Sequence, residues 1–231
     1  MPGENLTRVE AQNRASIIAT ESYLVKLDVT KDDKTFDSDT TIVFSCNKPG
    51  SEIFVDAITD SVSLIELNGV SLDPAKHSDG IRINIPNLAA ANTLRIVAKG
   101  IYSNTGEGLH RFVDPVDSEV YLYTQFEVPD SRRMFPVFEQ PDLKATFEFH
   151  VTAPSNWKVV SNSPTPEPVV LDDQNSEWRF APTPRISSYI TALIAGPYSV
   201  WRDELTSLNG KTIPLGVFCR GSLAQYMDPE Y

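Results

Sequence analysis

Residues 121–145 contain the polar side chains best suited to binding chemistry, above all Gln125 and Glu127. If residues 123–127 form a β-strand, these two side chains lie two positions apart on one face, while Phe126 points to the other. A carboxylate accepts charge-assisted hydrogen bonds from an ammonium group, each worth about 1.5–3 kcal/mol, and a neighbouring amide both donates and accepts. The spacing therefore indicates a candidate ammonium-binding site, although an exposed polar strand face without function has the same pattern.

The three histidines do not form a recognisable metal site. In H-E-x-x-H the two zinc-binding imidazoles stand four residues apart on one helix face, whereas His77, His110 and His150 are widely separated. We place His77 in a turn, His110 in a loop and His150 near a strand end, with no chemical role for any of them. The chain also lacks a Walker loop and a G-x-S-x-G elbow. We therefore predict no catalytic residue and no metal ligand in this chain.

Composition limits the possible partners. The formal net charge is -11 and basic residues do not cluster beyond the pair Arg132 and Arg133. This argues against a nucleic-acid partner, because phosphate contacts need clustered Lys and Arg. No stretch reaches the roughly 18 apolar residues of a membrane helix, and the first residues lack a secretion signal, which predicts a cytoplasmic protein with no membrane partner. Cys46 and Cys219 fit no C-x-x-C pattern and are predicted to be free, buried thiols.

Period-two alternation of apolar and polar residues predicts an all-β fold. The predicted strands cover residues 23–29, 40–44, 53–57, 62–67, 81–85, 93–98, 120–127, 144–151, 157–161, 178–181, 189–195 and 213–218. Most of these runs are bounded by Pro, Gly, Asn or Asp, which is typical of antiparallel strands joined by turns. We expect a twisted, antiparallel β-sandwich or saddle with one or two short helices.

Turn residues support this architecture. Asn68-Gly69 and Asn209-Gly210 each lie between apolar runs and supply the positive φ that tight hairpins require. The alternating prolines of residues 164–168 remove ladder donors and predict a loop at a sheet margin.

Three segments favour short helices. Residues 5–16 have Asn5 as a candidate N-cap, and residues 132–135 follow Asp130 or Ser131 as a candidate N-cap before Pro136 disrupts the helix. The residues from Gly221 onward resemble the first turns of another helix.

Residues 124–145 also match a family pattern. Thr124-Gln125-Phe126-Glu127 and the following segments at residues 129–136 and 141–145 resemble the T-Q-x-E…D-A-R-x-x-F-P-C-x-D-E-P-x-x-K-A stretch of the aminopeptidase N family of zinc exopeptidases. Three further segments resemble the family's opening strand, its G-L-x-R turn and its W-x-x-x-S-N motif, at residues 23–29, 106–111 and 157–162. The resemblance covers essentially the whole chain and is to a bacterial, actinobacterial-like member.

Four positions depart from the family pattern. Ser131, Val137, Glu139 and Gln140 stand where the family usually has Ala, Cys, Asp and Glu. In the family this segment is mainly structural, so the departures bear on the subfamily more than on the fold.

The resemblance implies roles for the two candidate residues. Gln125 would line the pocket for the first side chain of a peptide substrate, and Glu127 would help to hold its free α-amine. Residues 1–220 would form the N-terminal β domain, and residues 221–231 the truncated start of a catalytic domain that supplies zinc, the general base and a second carboxylate. The implied partners are peptide substrates and that catalytic domain, while this fragment alone would bind no zinc and would be inactive.

A second interpretation remains open on the strand pattern alone. A free-standing β-sandwich could recognise a peptide or protein through an exposed sheet edge or loop, without chemistry. It accounts for the alternation equally well, but it leaves the motif at residues 125–145 without an explanation.

Overall fold

Strands are the main regular structure of the chain, in two sheets and two separate strand pairs. The computed structural model describes residues 5–228. The larger sheet has eight strands, which lie side by side in the order β12 (Val169–Val170), β13 (Asn175–Arg179), β10 (Thr146–Pro154), β1 (Ile18–Asp28), β2 (Thr35–Cys46), β7 (Ala91–Ile101), β4 (Ser61–Leu67) and β5 (Val70–Leu72). The smaller sheet has four strands, in the order β11 (Lys158–Ser161), β14 (Leu193–Gly196), β9 (Val120–Gln125) and β8 (Gly108–Val113). The strand pairs are β3 (Ile53–Asp56) with β6 (Arg82–Ile85), and β15 (Ser199–Thr206) with β16 (Thr212–Cys219). The predicted all-β, sandwich-like class is confirmed.

The alternation that predicted the strands is also the pattern of their burial. Along β2 the side chains alternate between partly exposed and buried positions, and Phe36, Ile42 and Phe44 all point inward. Because successive side chains of a strand point to opposite faces, such a sequence buries one face and leaves the other to solvent. In the strand order, β1 and β2 are the two middle strands of the larger sheet.

One pairing of the larger sheet is parallel, which the sequence analysis did not predict. β1 and β10 run in the same direction, with Ser22 opposite Thr146 and Tyr23 opposite Phe147. Parallel neighbours need a long crossover, and residues 29–145 provide it. The other pairings of this sheet are antiparallel, as predicted, and the pairing of β1 with β10 is the exception.

The first helix begins later than predicted. It covers α1 (Arg8–Ile17), and its N-cap is Thr7 rather than Asn5. Thr7 and Glu10 form a capping box, in which the Thr7 amide donates to Glu10 Oε2 at 2.8 Å and the Glu10 amide donates to Thr7 Oγ1 at 3.3 Å. The backbone amides of Thr7 and Glu10 thereby have hydrogen-bond acceptors at the start of α1.

The remaining helices are short. They are α2 (Pro74–His77) and three 3₁₀ helices at Ser131–Arg133, Ser188–Ile190 and Gly221–Tyr226. The helix predicted at residues 132–135 is present as the 3₁₀ helix Ser131–Arg133, and the one predicted from Gly221 onward as Gly221–Tyr226, although residues 229–231 lie outside the described residues. None of the helices within residues 5–228 is long and apolar enough to cross a bilayer.

Several predicted boundaries differ from the structure. The strand predicted over 120–127 ends at Gln125, and the strand predicted over 189–195 begins only at Leu193, because residues 188–190 form a 3₁₀ helix. β8 and β15 were not predicted as strands. β8 is short and begins at a glycine, and β15 mixes polar and apolar residues on its exposed length, so neither has clear alternation.

Both predicted hairpins are present. Asn68 and Gly69 adopt φ values of 53° and 81° between β4 and β5, as a tight turn requires. Gly210 has a φ of 78° in the longer connection between β15 and β16, where the Gly210 amide donates to the Ser207 carbonyl at 2.8 Å. The proline-rich residues 162–168 form a loop, as predicted.

An aromatic cluster forms the part of the core nearest the candidate site. Tyr23 and Phe147 stack at 4.7 Å between ring centroids, and Phe135 packs edge-on against Tyr23, Phe147 and Phe149 at 5.9–6.4 Å. The Tyr23 hydroxyl accepts a hydrogen bond from the Phe138 amide at 3.2 Å, so the ring's polar end is satisfied within the core.

The two cysteines differ in exposure. Both are free thiols, as predicted, but Cys46 is buried whereas Cys219 is only half-buried at the end of β16. The prediction of two buried thiols is therefore wrong for Cys219, because β15 and β16 pair with each other and leave most of their side chains exposed.

Candidate functional site

Gln125 lies at the exposed end of β9. It is the last residue of the strand and pairs with Gly108, the first residue of β8. Its side chain is exposed, as is that of Tyr123, which is two residues earlier on the same face. The ring of Tyr123 stacks on His110 of β8, with 4.7 Å between centroids. The end of the four-stranded sheet thus presents an amide beside an aromatic surface.

Glu127 lies in a turn after the strand, not on the strand itself. The turn covers residues 127–130 and is closed by the Asp130 amide, which donates to the Phe126 carbonyl at 3.1 Å. Glu127 is exposed, and Phe126 between the two candidate residues is buried. The prediction that Gln125 and Glu127 share a strand face is therefore wrong in detail, although both side chains remain exposed on either side of a buried anchor.

Phe126 anchors this turn to the core. Its ring packs edge-on against Phe135, with 6.4 Å between centroids and 79° between planes. Because Phe135 also contacts the aromatic cluster, the backbone on either side of Phe126 is tied to the interior. A buried aromatic of this size restricts the position of its neighbours in the chain.

The 3₁₀ helix after the turn packs closely on β8. Arg133 Nε donates to Asp130 Oδ1 at 2.7 Å, which links the helix to the end of the turn. Gly108 has a φ of +66°, and a Cβ at this position would lie 2.8 Å from the Cβ of Arg133. Only glycine fits both the backbone conformation and the space, so this residue allows the helix to lie against the strand that pairs with Gln125.

A buried carboxylate holds the same helix from the other side. Glu139 is 4% exposed, and its Oε2 accepts hydrogen bonds from Ser131 Oγ and, at 2.9 Å, from the Arg132 amide. Its Oε1 accepts from Ser188 Oγ at 2.6 Å. Burial raises the pKa of this carboxyl above its usual range, while the three donors act in the opposite direction.

Arg14 of α1 connects the helix to this segment through a fully buried ion pair. Its Nη1 lies 2.6 Å from Asp56 Oδ2, and both side chains are 1% exposed. Its other nitrogens donate to the Glu139 carbonyl and to Gln140 Oε1, each at 3.1 Å. Each of the three guanidinium nitrogens therefore donates to an acceptor, one in β3 and two in the segment that follows the candidate site.

Arg14 and Asp56 were not predicted from the sequence. Thr7-x-x-Glu10 is a capping-box signal that could have located the start of α1, and α1 turns Arg14 inward beside Ile17. Nothing local marks Arg14 as buried, because arginine in a short helix is normally exposed. Its partners Asp56 and Gln140 lie 42 and 126 residues away in sequence.

The departures from the family pattern lie within this network. Ser131 and Glu139 bond to each other, Gln140 accepts from Arg14, and Val137 is fully buried. These residues face the interior and form structural contacts, in keeping with the structural role that the resemblance implies for their segment.

The histidines have structural contacts. His110 lies in β8, not in a loop, and its Nδ1 accepts from the Gly106 amide at 3.1 Å. His77 ends α2, where its Nδ1 lies 2.9 Å from the Asn84 carbonyl, and His150 lies within β10, where its Nε2 lies 2.8 Å from Glu148 Oε1. Within residues 5–228, no three His, Cys, Asp or Glu side chains are grouped as metal ligands.

The two candidate side chains are both exposed, one on each side of the buried Phe126. Glu127 presents a carboxylate in the turn, and Gln125 presents an amide at the end of β9. An ammonium group can take charge-assisted hydrogen bonds from such a carboxylate.

Several known proteins are similar to this chain in sequence. The family model of the Peptidase M1 N-terminal domain matches residues 19–190. The chain is 52% identical to "Aminopeptidase N" of Streptomyces lividans over 237 aligned positions, which cover 100% of this chain and 26% of that protein. It is 35% identical to "Aminopeptidase N" of Acetobacter pasteurianus over 159 positions, covering 66% of this chain and 39% of that protein. It is also 35% identical to "Probable M1 family aminopeptidase 1" of Encephalitozoon cuniculi over 132 positions, covering 55% and 15%. The chain therefore spans 15–39% of the length of these relatives.

Proposed function

The chain belongs to the family of peptidase M1 N-terminal domains, and on that premise we propose that it is the substrate-side β domain of a zinc aminopeptidase that removes N-terminal residues from peptides. In this proposal Glu127 accepts hydrogen bonds from the substrate's α-ammonium group. Gln125 forms part of the wall around the substrate's first side chain. The observation that carries the proposal is the exposed carboxylate of Glu127, on the turn that follows the exposed Gln125 and the buried Phe126. The family match favours this function over the stand-alone binding module.

The turn gives Glu127 a defined position without burying it. Its first end is fixed by the pairing of Gln125 with Gly108, and its second end by the 3₁₀ helix at Ser131–Arg133. An exposed but positioned carboxylate can meet an incoming ammonium group without first being stripped of all its water. We propose that a second carboxylate from the remainder of the parent protein completes the amine site.

The zinc implied by the family does not fit the residues of this chain. The described part of the chain, residues 5–228, groups no three potential ligands, and its histidines are engaged in strand and turn contacts. We therefore propose that zinc is bound by another segment of the parent protein. The contribution of this chain is to bind and orient the peptide's N-terminus.

Glu127→Ala in the parent enzyme should lower kcat/KM for aminoacyl p-nitroanilides by roughly 10- to 100-fold, because it removes a charge-assisted hydrogen bond worth about 1.5–3 kcal/mol. The kcat/KM of Glu127→Gln should fall between those of the wild type and Glu127→Ala, since glutamine keeps an acceptor but loses the charge. Steady-state kinetics measure both.

The matched control is Glu52→Ala, which removes an exposed carboxylate just before β3 and should leave kcat/KM unchanged. Equal kinetics for wild type and Glu127→Ala would refute the assignment of Glu127 to the amine site.

The ribbon formed by β15 and β16 provides a surface for the remainder of the parent protein. Cross-strand pairing places Leu205 opposite Ile213, and Leu215 and Val217 continue on the same face. These four side chains are 38–53% exposed. We propose that the catalytic part of the parent protein, which would begin at residues 221–231, covers these four side chains.

The isolated 231-residue chain should therefore self-associate through the ribbon, because exposed apolar patches favour association. Sedimentation velocity should show a weight-average mass that rises with concentration. Leu215→Glu should suppress this rise. Thr212→Glu is the matched control, since it adds the same charge to the opposite face of β16. A concentration-independent monomer for the unaltered chain would contradict the prediction.

A further inference from the structure

We infer that Glu139 is a positioning residue for substrate binding: its buried carboxylate holds the 3₁₀ helix that follows the turn of Glu127, and so sets the direction in which Glu127 meets the substrate's ammonium group. The inference rests on the proposed function of Glu127. It assigns the cause of that residue's orientation to a side chain that never touches substrate.

The carboxylate of Glu139 connects two 3₁₀ helices. Oε2 accepts from Ser131 Oγ and from the Arg132 amide at 2.9 Å, both in the first turn of the helix Ser131–Arg133. Oε1 accepts from Ser188 Oγ at 2.6 Å, at the start of the helix Ser188–Ile190. The helix Ser131–Arg133 has no side-chain hydrogen bond from its N-cap, Asp130. Glu139 therefore supplies the polar contact that caps this helix.

The capped helix is continuous with the turn that carries Glu127. The turn ends at Asp130 and the helix begins at Ser131, with no residue between them. Arg133 ties the two together through its backbone amide, which donates to the Asp130 carbonyl at 3.1 Å, and through its side chain, which bonds to the Asp130 carboxylate. A shift of Ser131 therefore moves the end of the turn, while Phe126 holds its beginning in the core.

The backbone of Glu139 is itself held by two buried side chains. Its amide donates to Asp56 Oδ2 at 3.0 Å, and its carbonyl accepts from Arg14 Nη2 at 3.1 Å. The buried pair of Arg14 and Asp56 therefore fixes the backbone of Glu139, and the carboxylate extends from a fixed point. The chain of contacts runs from α1 and β3 through Glu139 to the turn of Glu127.

The three groups that donate to Glu139 make it possible to test whether its role requires a negative charge or only hydrogen bonds. All three are neutral, and a hydroxyl both donates and accepts. The amide oxygen of a glutamine can accept from Ser131 and Arg132, and its amide nitrogen can donate to Ser188 Oγ. Glu139→Gln should therefore keep the helix in place, whereas Glu139→Ala leaves buried donors without an acceptor.

The test is a double-mutant cycle in the parent enzyme with aminoacyl p-nitroanilides. Glu139→Ala should lower kcat/KM by about 10- to 100-fold, since a misplaced binding group misplaces the scissile bond. Glu139→Gln should restore most of the loss. In the Glu127→Ala background, Glu139→Ala should have little further effect, because the group that it positions is absent. Circular dichroism and zinc content verify that each variant is folded.

A milder variant keeps the test decisive if Glu139→Ala does not fold. Ser131→Ala removes one of the two donors to Oε2, and it should lower kcat/KM less than Glu139→Ala would, but again only when Glu127 is present. Arg95→Ala, which breaks an exposed ion pair with Asp39, is the control and should leave kcat/KM unchanged in both backgrounds.

The outcomes separate the two proposals. Equal losses from Glu139→Ala, or from Ser131→Ala, with and without Glu127 would overturn the positioning role, because the loss would then arise from the fold in general. Unchanged kinetics for Glu127→Ala alone would overturn the proposed function first, whatever the effect of Glu139. Failure of Glu139→Gln to restore activity would also contradict the inference.

Discussion

Replacing Arg14 with alanine should lower the free energy of unfolding of this chain by about 3–5 kcal/mol, because it leaves the carboxylate of Asp56 buried without its partner. The two side chains are 2.6 Å apart and 1% exposed, so the Asp56 carboxylate is shielded from bulk solvent. The Glu139 carbonyl and Gln140 Oε1 lose donors at the same time. Since domains are typically stable by only about 5–15 kcal/mol, the loss should be visible as a large decrease in the urea midpoint.

The chain contains a matched control for burial. Arg95 and Asp39 form an ion pair of nearly the same length, 2.7 Å, but their side chains are 46% and 24% exposed. Arg95→Ala should therefore cost only about 0–1 kcal/mol. Equal midpoints for the two alanine variants would show that the Arg14 ion pair is no more important to stability than a surface contact.

Phe135→Ala should lower the free energy of unfolding by a similar amount, about 3–5 kcal/mol, through a different mechanism. The ring is 1% exposed and packs against Tyr23, Phe147 and Phe149, so its removal leaves a cavity that stiff aromatic neighbours cannot easily fill. It also removes the partner of Phe126, the anchor of the candidate site. Chemical denaturation gives the stability.

Phe135→Leu and Tyr226→Ala are the controls for this cavity. Leucine retains much of the apolar volume, so Phe135→Leu should cost less than Phe135→Ala. Tyr226 is 76% exposed, and its truncation should change stability by no more than about 0.5 kcal/mol. An effect of Phe135→Ala as small as that of Tyr226→Ala would contradict the central position of Phe135 in the core.

Local patterns were sufficient to predict the strands that have one buried and one exposed face. The alternation along β2 and the Asn68-Gly69 turn each reflect forces within a few residues, and both are present as predicted. The same alternation does not distinguish a parallel from an antiparallel neighbour, so the pairing of β1 with β10 could not be read from it.

At the candidate site, too, the alternation of exposed and buried residues does not show where the strand ends. The period of two continues from Tyr123 through Gln125 to Glu127, and all three side chains are indeed exposed. The strand nevertheless ends at Gln125, where Phe126 packs on Phe135 and where Glu139 holds the helix that follows the turn. Contacts of that kind join residues from separate elements, and one sequence does not reveal them.

The parallel pairing of β1 with β10 sets an order for folding during synthesis. β1, β2, β7, β4 and β5 all lie within residues 18–101 and can pair as soon as these residues have left the ribosome. At a synthesis rate of roughly 5–20 residues per second, the synthesis of β10 is completed roughly 6–25 s after that of β1. During this interval the edge of β1 offers unpaired amide and carbonyl groups to any extended chain nearby. The nascent protein is therefore most vulnerable to mispairing at the centre of what later becomes its largest sheet.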